Sequence, residues 1–134
     1  TVMRERSPRP NETTADAVSL AACQMIFNLH GDLIVSFTSS GTSAQRVSRN
    51  RPTSPILAIT PSPRAYRQLS VVWGVVPHLS NDIHSTDEMV EVAASTIAER
   101  GMGVPDGIFV ITAGVPFGMR GTTNMLRVER MNSG

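Results

Sequence analysis

The chain has 134 residues, enough for one domain with a real core. Apolar residues make up 40% and the formal net charge is +1, which excludes disorder by composition and the basic footprint of a nucleic-acid binder. The 12 lysine and arginine positions are all arginine, so Schiff-base or lysine general-base chemistry is absent and any strong cationic contact to an anion falls to a guanidinium.

Residues 1–12 are polar, contain Pro8 and Pro10 and show no period, as expected of a linker or the tail of an upstream domain. The globular part is expected to span residues 13–134. Thr13 or Thr14 can cap a first helix, with Val18, Ala21, Ala22, Met25 and Leu29 at helical spacing and Gly31 as its stop. Cys23 lies in that helix. It is the chain's single cysteine, so it forms no internal disulfide, it suits inert packing, and a cytoplasmic setting is expected. The apolar run 33–37 reads as a first strand, followed by Thr38-Ser39-Ser40-Gly41-Thr42-Ser43. A segment of helical composition, Ala44 to Asn50, comes next, and Pro52 stops it. Residues 55–60 form a second buried strand. Ser62-Pro63 opens a short helix to about Leu69. Val75-Val76 is a brief third strand closed by Pro77. Ser85 and Glu88 have capping-box spacing, and the helix behind them places Val90, Ala93, Ala94 and Ile97 on one stripe, with Gly101 as its stop. Residues 108–112 are a fourth buried strand. After a glycine-rich loop, Leu126 and Val128 alternate with Arg127 and Glu129 as in a half-exposed edge strand. No run approaches the length of a membrane span, and no apolar signal-peptide core is visible.

Strands without alternation, separated by helices, predict a mostly parallel sheet covered on both faces, with every strand-to-helix turn on one edge. Ligands of such sheets sit at that carboxyl edge. The turn at residues 38–43 has two readings. A glycine and neighbouring hydroxyls before a helix N-terminus can cradle a phosphate, because the turn and first-turn amides lack partners and the helix dipole is positive there. Equally, Ser40, Thr42 or Ser43 can cap the helix. The second loop, residues 113–123, carries Gly114, Gly118, Gly121, Thr122, Thr123 and Arg120. If strands one and four are neighbours, the two loops converge with Arg120 as the cation of the pocket; the alternative for Arg120 is a solvated loop tip.

Other chemistry is thinner. His78, Asp82, His84, Asp87 and Glu88 crowd one stretch, but match no closed zinc spacing. Arg46, Arg49 and Arg51 cluster after the hydroxyl turn, where Arg49 and Arg51 also suit the helix C-terminus. Trp73 before Gly74 reads as a packing anchor. Neither a catalytic triad nor paired carboxylates are present.

Ordered blocks carry a resemblance. Thr38-x-x-Gly41-x-x-Ala44 is followed by Val47-Ser48-Arg49-x-Arg51-Pro52 and by Pro55-Ile56-Leu57-Ala58-Ile59-Thr60. Arg67-Gln68-Leu69 leads to Trp73-Gly74-Val75. Ser85-Thr86-Asp87-Glu88-Met89, then Val110-Ile111-Thr112-Ala113-Gly114-Val115-Pro116 and Gly121-Thr122-Thr123-Asn124 complete the series. From about Thr13 to Met131 the chain resembles the C-terminal domain of bacterial pyruvate kinases.

The resemblance implies an α/β three-layer sandwich: a five-stranded, mostly parallel sheet with one antiparallel edge strand and helices on both faces. It implies a regulatory and oligomerisation domain whose Thr38, Ser39, Ser40, Gly41, Thr42 and Ser43 grip the phosphate of an effector, a sugar phosphate or AMP. Gly118, Arg120, Gly121 and Thr122 match the loop that closes over that effector. Fructose-bisphosphate-responsive animal enzymes have a lysine and an arginine in the phosphate loop, where Ser39 and Thr42 stand here. The parent reaction, phosphoryl transfer from phosphoenolpyruvate to ADP, belongs to a barrel domain with magnesium, potassium and an essential lysine. The chain itself is therefore expected to be inactive and to carry no cofactor. Self-association through the first helix and the edge strand is expected, with no nucleic-acid or membrane partner. Two alternatives stand beside this reading: a structural dimerisation module with a vestigial site, and a flavodoxin-like FMN-binding electron carrier with a similar hydroxyl-rich loop.

Overall fold

The computed structural model describes residues 14–114 and 123–132. Four helices, α1 (Thr14–Asn28), α2 (Thr42–Arg49), α3 (Pro63–Leu69) and α4 (Thr86–Arg100), accompany five strands, β1 (Leu33–Phe37), β2 (Ile56–Thr60), β3 (Val75–Leu79), β4 (Ile108–Gly114) and β5 (Thr123–Arg130). The strands form one sheet in the order β3-β2-β1-β4-β5. β1 pairs parallel with β2 and β4, β2 pairs parallel with β3, and β5 closes the sheet antiparallel to β4. This is the expected three-layer α/β sandwich.

Alternation along the buried strands divides the core in two. Leu33, Val35, Leu57, Ile59, Phe109 and Ile111 face one way and pack against Met89, Ala93 and Ile97 of α4. Ile34, Ile56 and Val110 face the other way, against Ala22, Cys23 and Ile26 of α1 and Val47 of α2. Ala58 on that face meets Ala44 of α2 and Leu69 of α3. Three helices thus cover one face and α4 the other. Burying a leucine, isoleucine or phenylalanine side chain fully stabilises by about 1.5–3 kcal/mol, and these central strands present such residues on both sides.

Three local expectations are corrected. The buried stripe of α1 is Ala15, Ser19, Ala22, Cys23 and Ile26, not the predicted set, and Leu29 is exposed. The helix is rotated so that Cys23 and Ile26 reach the sheet. Ser19 tolerates burial because its hydroxyl donates to the Ala15 carbonyl at 2.8 Å. β3 continues through Pro77, which is paired with Ala58, to Leu79. β3 is an edge strand, so a missing N–H is tolerated there. Trp73, read as a packing anchor, is half exposed, and what packs on its ring is the Arg51 guanidinium, 4.4 Å from the centroid.

The helix ends follow the sequence closely. The Ser62 hydroxyl caps α3 by accepting from the Ala65 amide at 3.1 Å. The Ser85 hydroxyl caps α4 by accepting from the Glu88 amide, and the Glu88 carboxylate reaches back to the amide of His84, one residue before the usual capping-box partner. Gly101, at φ 65°, ends α4 in the left-handed conformation. Among the described residues no helix is long and apolar enough to cross a membrane.

Candidate functional site

Because β1 to β4 run parallel, their carboxyl ends share one edge, where the loops after Phe37, Thr60 and Leu79 and the end of β4 at Gly114 meet. β1 and β4 are neighbours, with Ser36 opposite Thr112, so the hydroxyl turn lies beside the end of β4.

The turn is organised by its own side chains. Gly41 is the N-cap of α2 at φ 89°, a left-handed conformation that strains any residue with a Cβ. The Gly41 amide donates to the Thr38 hydroxyl oxygen at 2.8 Å. The Ser40 and Thr42 hydroxyls bond each other at 3.0 Å, and the Ser36 and Ser43 hydroxyls bond each other at 3.2 Å beneath the helix. Thr38 and Ser43 are buried at 8% and 5% exposure, whereas Ser39, Ser40 and Thr42 remain partly open. Ser39 makes no side-chain hydrogen bond among the described residues.

Gly41 at the N-cap offers no side chain to the first turn of α2, which carries no acidic residue. The Ser40 hydroxyl accepts from the Thr42 amide at 3.4 Å, so the capping reading holds in part: Ser40 serves the first amide of α2, while the Thr42 and Ser43 hydroxyls bond other hydroxyls. Among the described loop hydrogen bonds, none uses the Ser43 or Ala44 amide. The Ser43 and Ala44 amides are thus left open, and no first-turn carboxylate offsets the positive end of the helix.

Two concavities flank the turn. A cleft of about 370 Å³ has Phe37, Thr38 and Ser39 on one wall, Ile59 and Pro61 on a second, and Asp82, Ile83, His84, Ala113 and Gly114 on the rest. That volume is within the range of small-molecule sites, and the lining mixes an apolar floor with a few polar groups. A smaller cleft of about 280 Å³ lies between Ser39 and Ser40 on one side and Ser62, Arg64, Ala65 and Gln68 on the other.

The other sequence candidates fall elsewhere. Arg46 pairs with Asp16 of α1 at 3.2 Å, and Arg51 stacks on Trp73, so neither guanidinium is turned to the hydroxyl turn. Arg100 donates from Nε to His78 Nδ1 at 3.0 Å; burial chiefly, then the Arg100 charge, push the His78 pKa below its usual value, against a smaller opposing pull from Glu99. Cys23 is buried, its thiol directed at the Val47 carbonyl, and burial pushes its pKa up to about 11, so it is no nucleophile. Among the described residues no group of three or more histidine, cysteine, aspartate or glutamate side chains is placed to hold a metal. Gly118, Arg120, Gly121 and Thr122 lie outside the described residues. Sequence reading missed Arg64, whose nearness to the turn follows from β1 and β2 being neighbours.

The family model for the pyruvate kinase alpha/beta domain matches residues 16–129. The chain belongs to that family. It is 39% identical over 130 residues to a pyruvate kinase of Agrobacterium vitis, covering 97% of this chain and 27% of the relative. It is 36% identical over 127 residues to pyruvate kinase of Clostridium acetobutylicum, covering 95% of this chain and 27% of the relative. It is 36% identical over 128 residues to pyruvate kinase of a Staphylococcus aureus strain, covering 96% of this chain and 22% of the relative. The chain thus spans about a quarter of the length of these relatives. Membership of this family leaves the flavodoxin-like alternative without support.

Proposed function

We propose that this pyruvate kinase alpha/beta domain is a regulatory module that binds the phosphate of a small effector, a sugar phosphate or AMP, on the turn from Thr38 to Ser43. The observation that carries the reading is the start of α2. Its N-cap is a glycine with no side chain to cap the Ser43 and Ala44 amides, beside a Ser39 hydroxyl without a hydrogen bond among the described residues and a cleft of about 370 Å³. A phosphate seated there accepts from first-turn amides and from the Ser39, Ser40 and Thr42 hydroxyls, and it meets the positive end of the helix dipole. The sugar or base extends into the cleft, over Phe37 and Ile83, with Asp82 placed to accept from hydroxyls.

The energetics are adequate. Charge-assisted hydrogen bonds contribute roughly 1.5–3 kcal/mol each. About four of them, less several kcal/mol for lost ligand freedom, reach roughly −8 kcal/mol, or micromolar affinity. Gly118, Arg120, Gly121 and Thr122 are assigned to a covering loop by their match to the family pattern. Phosphoryl transfer from phosphoenolpyruvate to ADP, with magnesium and potassium, is assigned to a catalytic domain outside this sequence, because this chain has no lysine for it. Self-association is proposed through α1 and β5, which pack together; β5 is a sheet edge, and Leu20 and Phe27 of α1 are exposed.

Thermal unfolding with fructose 1,6-bisphosphate, glucose 6-phosphate, AMP and inorganic phosphate tests the reading. A ligand at one hundred times its Kd should stabilise the fold by about 2.7 kcal/mol. No shift with any of them would favour the structural module with a vestigial site.

A further inference from the structure

The hydroxyl turn contains no cation, yet a phosphate carries nearly two negative charges near neutral pH. The smaller cleft, of about 280 Å³, supplies one. Its walls are Ser39 and Ser40 from the turn and Ser62, Arg64, Ala65 and Gln68 from the start of α3. Ser39 lines both clefts.

The two clefts differ in charge. The larger one contains Asp82 and an apolar floor. The smaller one contains Arg64 and no carboxylate. Arg64 is exposed, and it takes part in no ion pair among the described residues. The α3 sequence, PRAYRQL, has no acidic residue to pair with it. Ser62, by contrast, is already occupied in capping α3.

We infer that Arg64 is the cation of the phosphate site. Its guanidinium closes on the phosphate from the α3 side while Ser39 and the α2 amides hold it from the turn. The fork of the guanidinium suits two phosphate oxygens at once. The division of charge also orients the ligand: the phosphate lies at Ser39 facing Arg64, and the neutral, hydroxyl-bearing part enters the larger cleft toward Asp82. Among the described residues Arg64 is the one arginine that lines either cleft. The inference rests on the effector reading above and adds to it the residue that sets affinity for the phosphate.

The test is calorimetric titration of the full chain with glucose 6-phosphate, AMP and inorganic phosphate, with glucose as the uncharged control. Variants are Arg64→Gln, Arg64→Lys, Arg67→Gln and Ser39→Glu. Arg67 is outside the cleft lining and also exposed, so it controls for net charge. Arg64→Gln should weaken phosphate-ester binding by about tenfold or more. Arg64→Lys should lose less, Arg67→Gln less than about twofold, and the melting of the unliganded variants should match the parent. If the parent binds and Ser39→Glu abolishes binding, but Arg64→Gln binds like the parent, the assignment of Arg64 is wrong and the effector site stands. If Ser39→Glu binds like the parent, or the parent binds none of the phosphates, the effector reading falls and Arg64 falls with it.

Discussion

Helices α2 and α4 both begin at the carboxyl edge of the sheet, and they begin differently. α4 starts closed: the Ser85 hydroxyl takes the Glu88 amide, the Glu88 carboxylate takes the His84 amide, and Asp87 and Glu88 offset the dipole. Its other end is closed by Gly101 and by Arg100, which is tied to His78 and to the Pro77 carbonyl. α2 is satisfied at its C-terminus, where Asn50 bonds back to Val47 and Arg46, but its first turn has no acid, and only its Thr42 amide meets a side chain, the Ser40 hydroxyl at 3.4 Å. Closing a helix N-terminus is chemically easy, and this chain does it at α3 and α4. An open start at α2, beside two clefts, is what a site for an exchangeable anion requires.

The sharpest way to break this contrast is at Gly41. Its φ of 89° is strained for any residue with a Cβ, although the added carbon would meet Leu69 only at an ordinary 3.5 Å. Gly41→Ala should therefore cost about 1–2 kcal/mol through backbone strain, read from urea unfolding. Next in size is the cap pair. Ser85→Ala should destabilise by about 1 kcal/mol, because the Glu88 amide loses its acceptor. Ser39→Ala in the open turn, where the hydroxyl makes no hydrogen bond among the described residues, should change stability by less than about 0.5 kcal/mol. Equal losses in the two variants would mean that the two helix starts are equivalent.

A smaller effect of opposite sign comes from supplying the missing acid. Thr42→Asp should stabilise the unliganded protein by about 0.5 kcal/mol, an effect that fades with added salt, and should weaken phosphate binding in parallel. The smallest concerns the closed end of α4. Arg100 donates to neutral His78, whose pKa is lowered from 6.5 chiefly by burial and then by that guanidinium. The folded state thus holds the proton less tightly than the unfolded state. The contribution of His78 should be fully present above pH 6.5 and be lost as pH falls toward the depressed value. Unfolding at pH 7 and pH 5 should show a larger loss on acidification for the parent than for His78→Gln.

Much of the fold was legible because the strands are unbroken apolar runs and the helix starts carry Ser62-Pro63 and Ser85-to-Glu88 signals. What sequence pattern missed depends on neighbours. The stripe of α1 could not be set by period alone, since Ser19 is buried through a bond to its own backbone and Leu29 overshoots the sheet. β3 looked shorter because Pro77 stops a central strand but not an edge one. Arg51 and Trp73 solved each other's exposure at a distance no local window reports. The hydroxyl turn was visible at once, but which of its hydroxyls are occupied and which are open, Ser40 on the Thr42 amide and Ser39 on nothing among the described residues, depends on a backbone geometry that sequence pattern does not report. Arg64 became a candidate only when β1 and β2 were known to be adjacent.

The most direct measurement is calorimetric titration of glucose 6-phosphate and AMP onto the parent chain and Ser39→Glu. Binding near the micromolar range by the parent, lost in a variant that melts like the parent, is the predicted result. Unchanged affinity after a carboxylate has been placed in the turn would contradict the claim that the open start of α2 holds a phosphate.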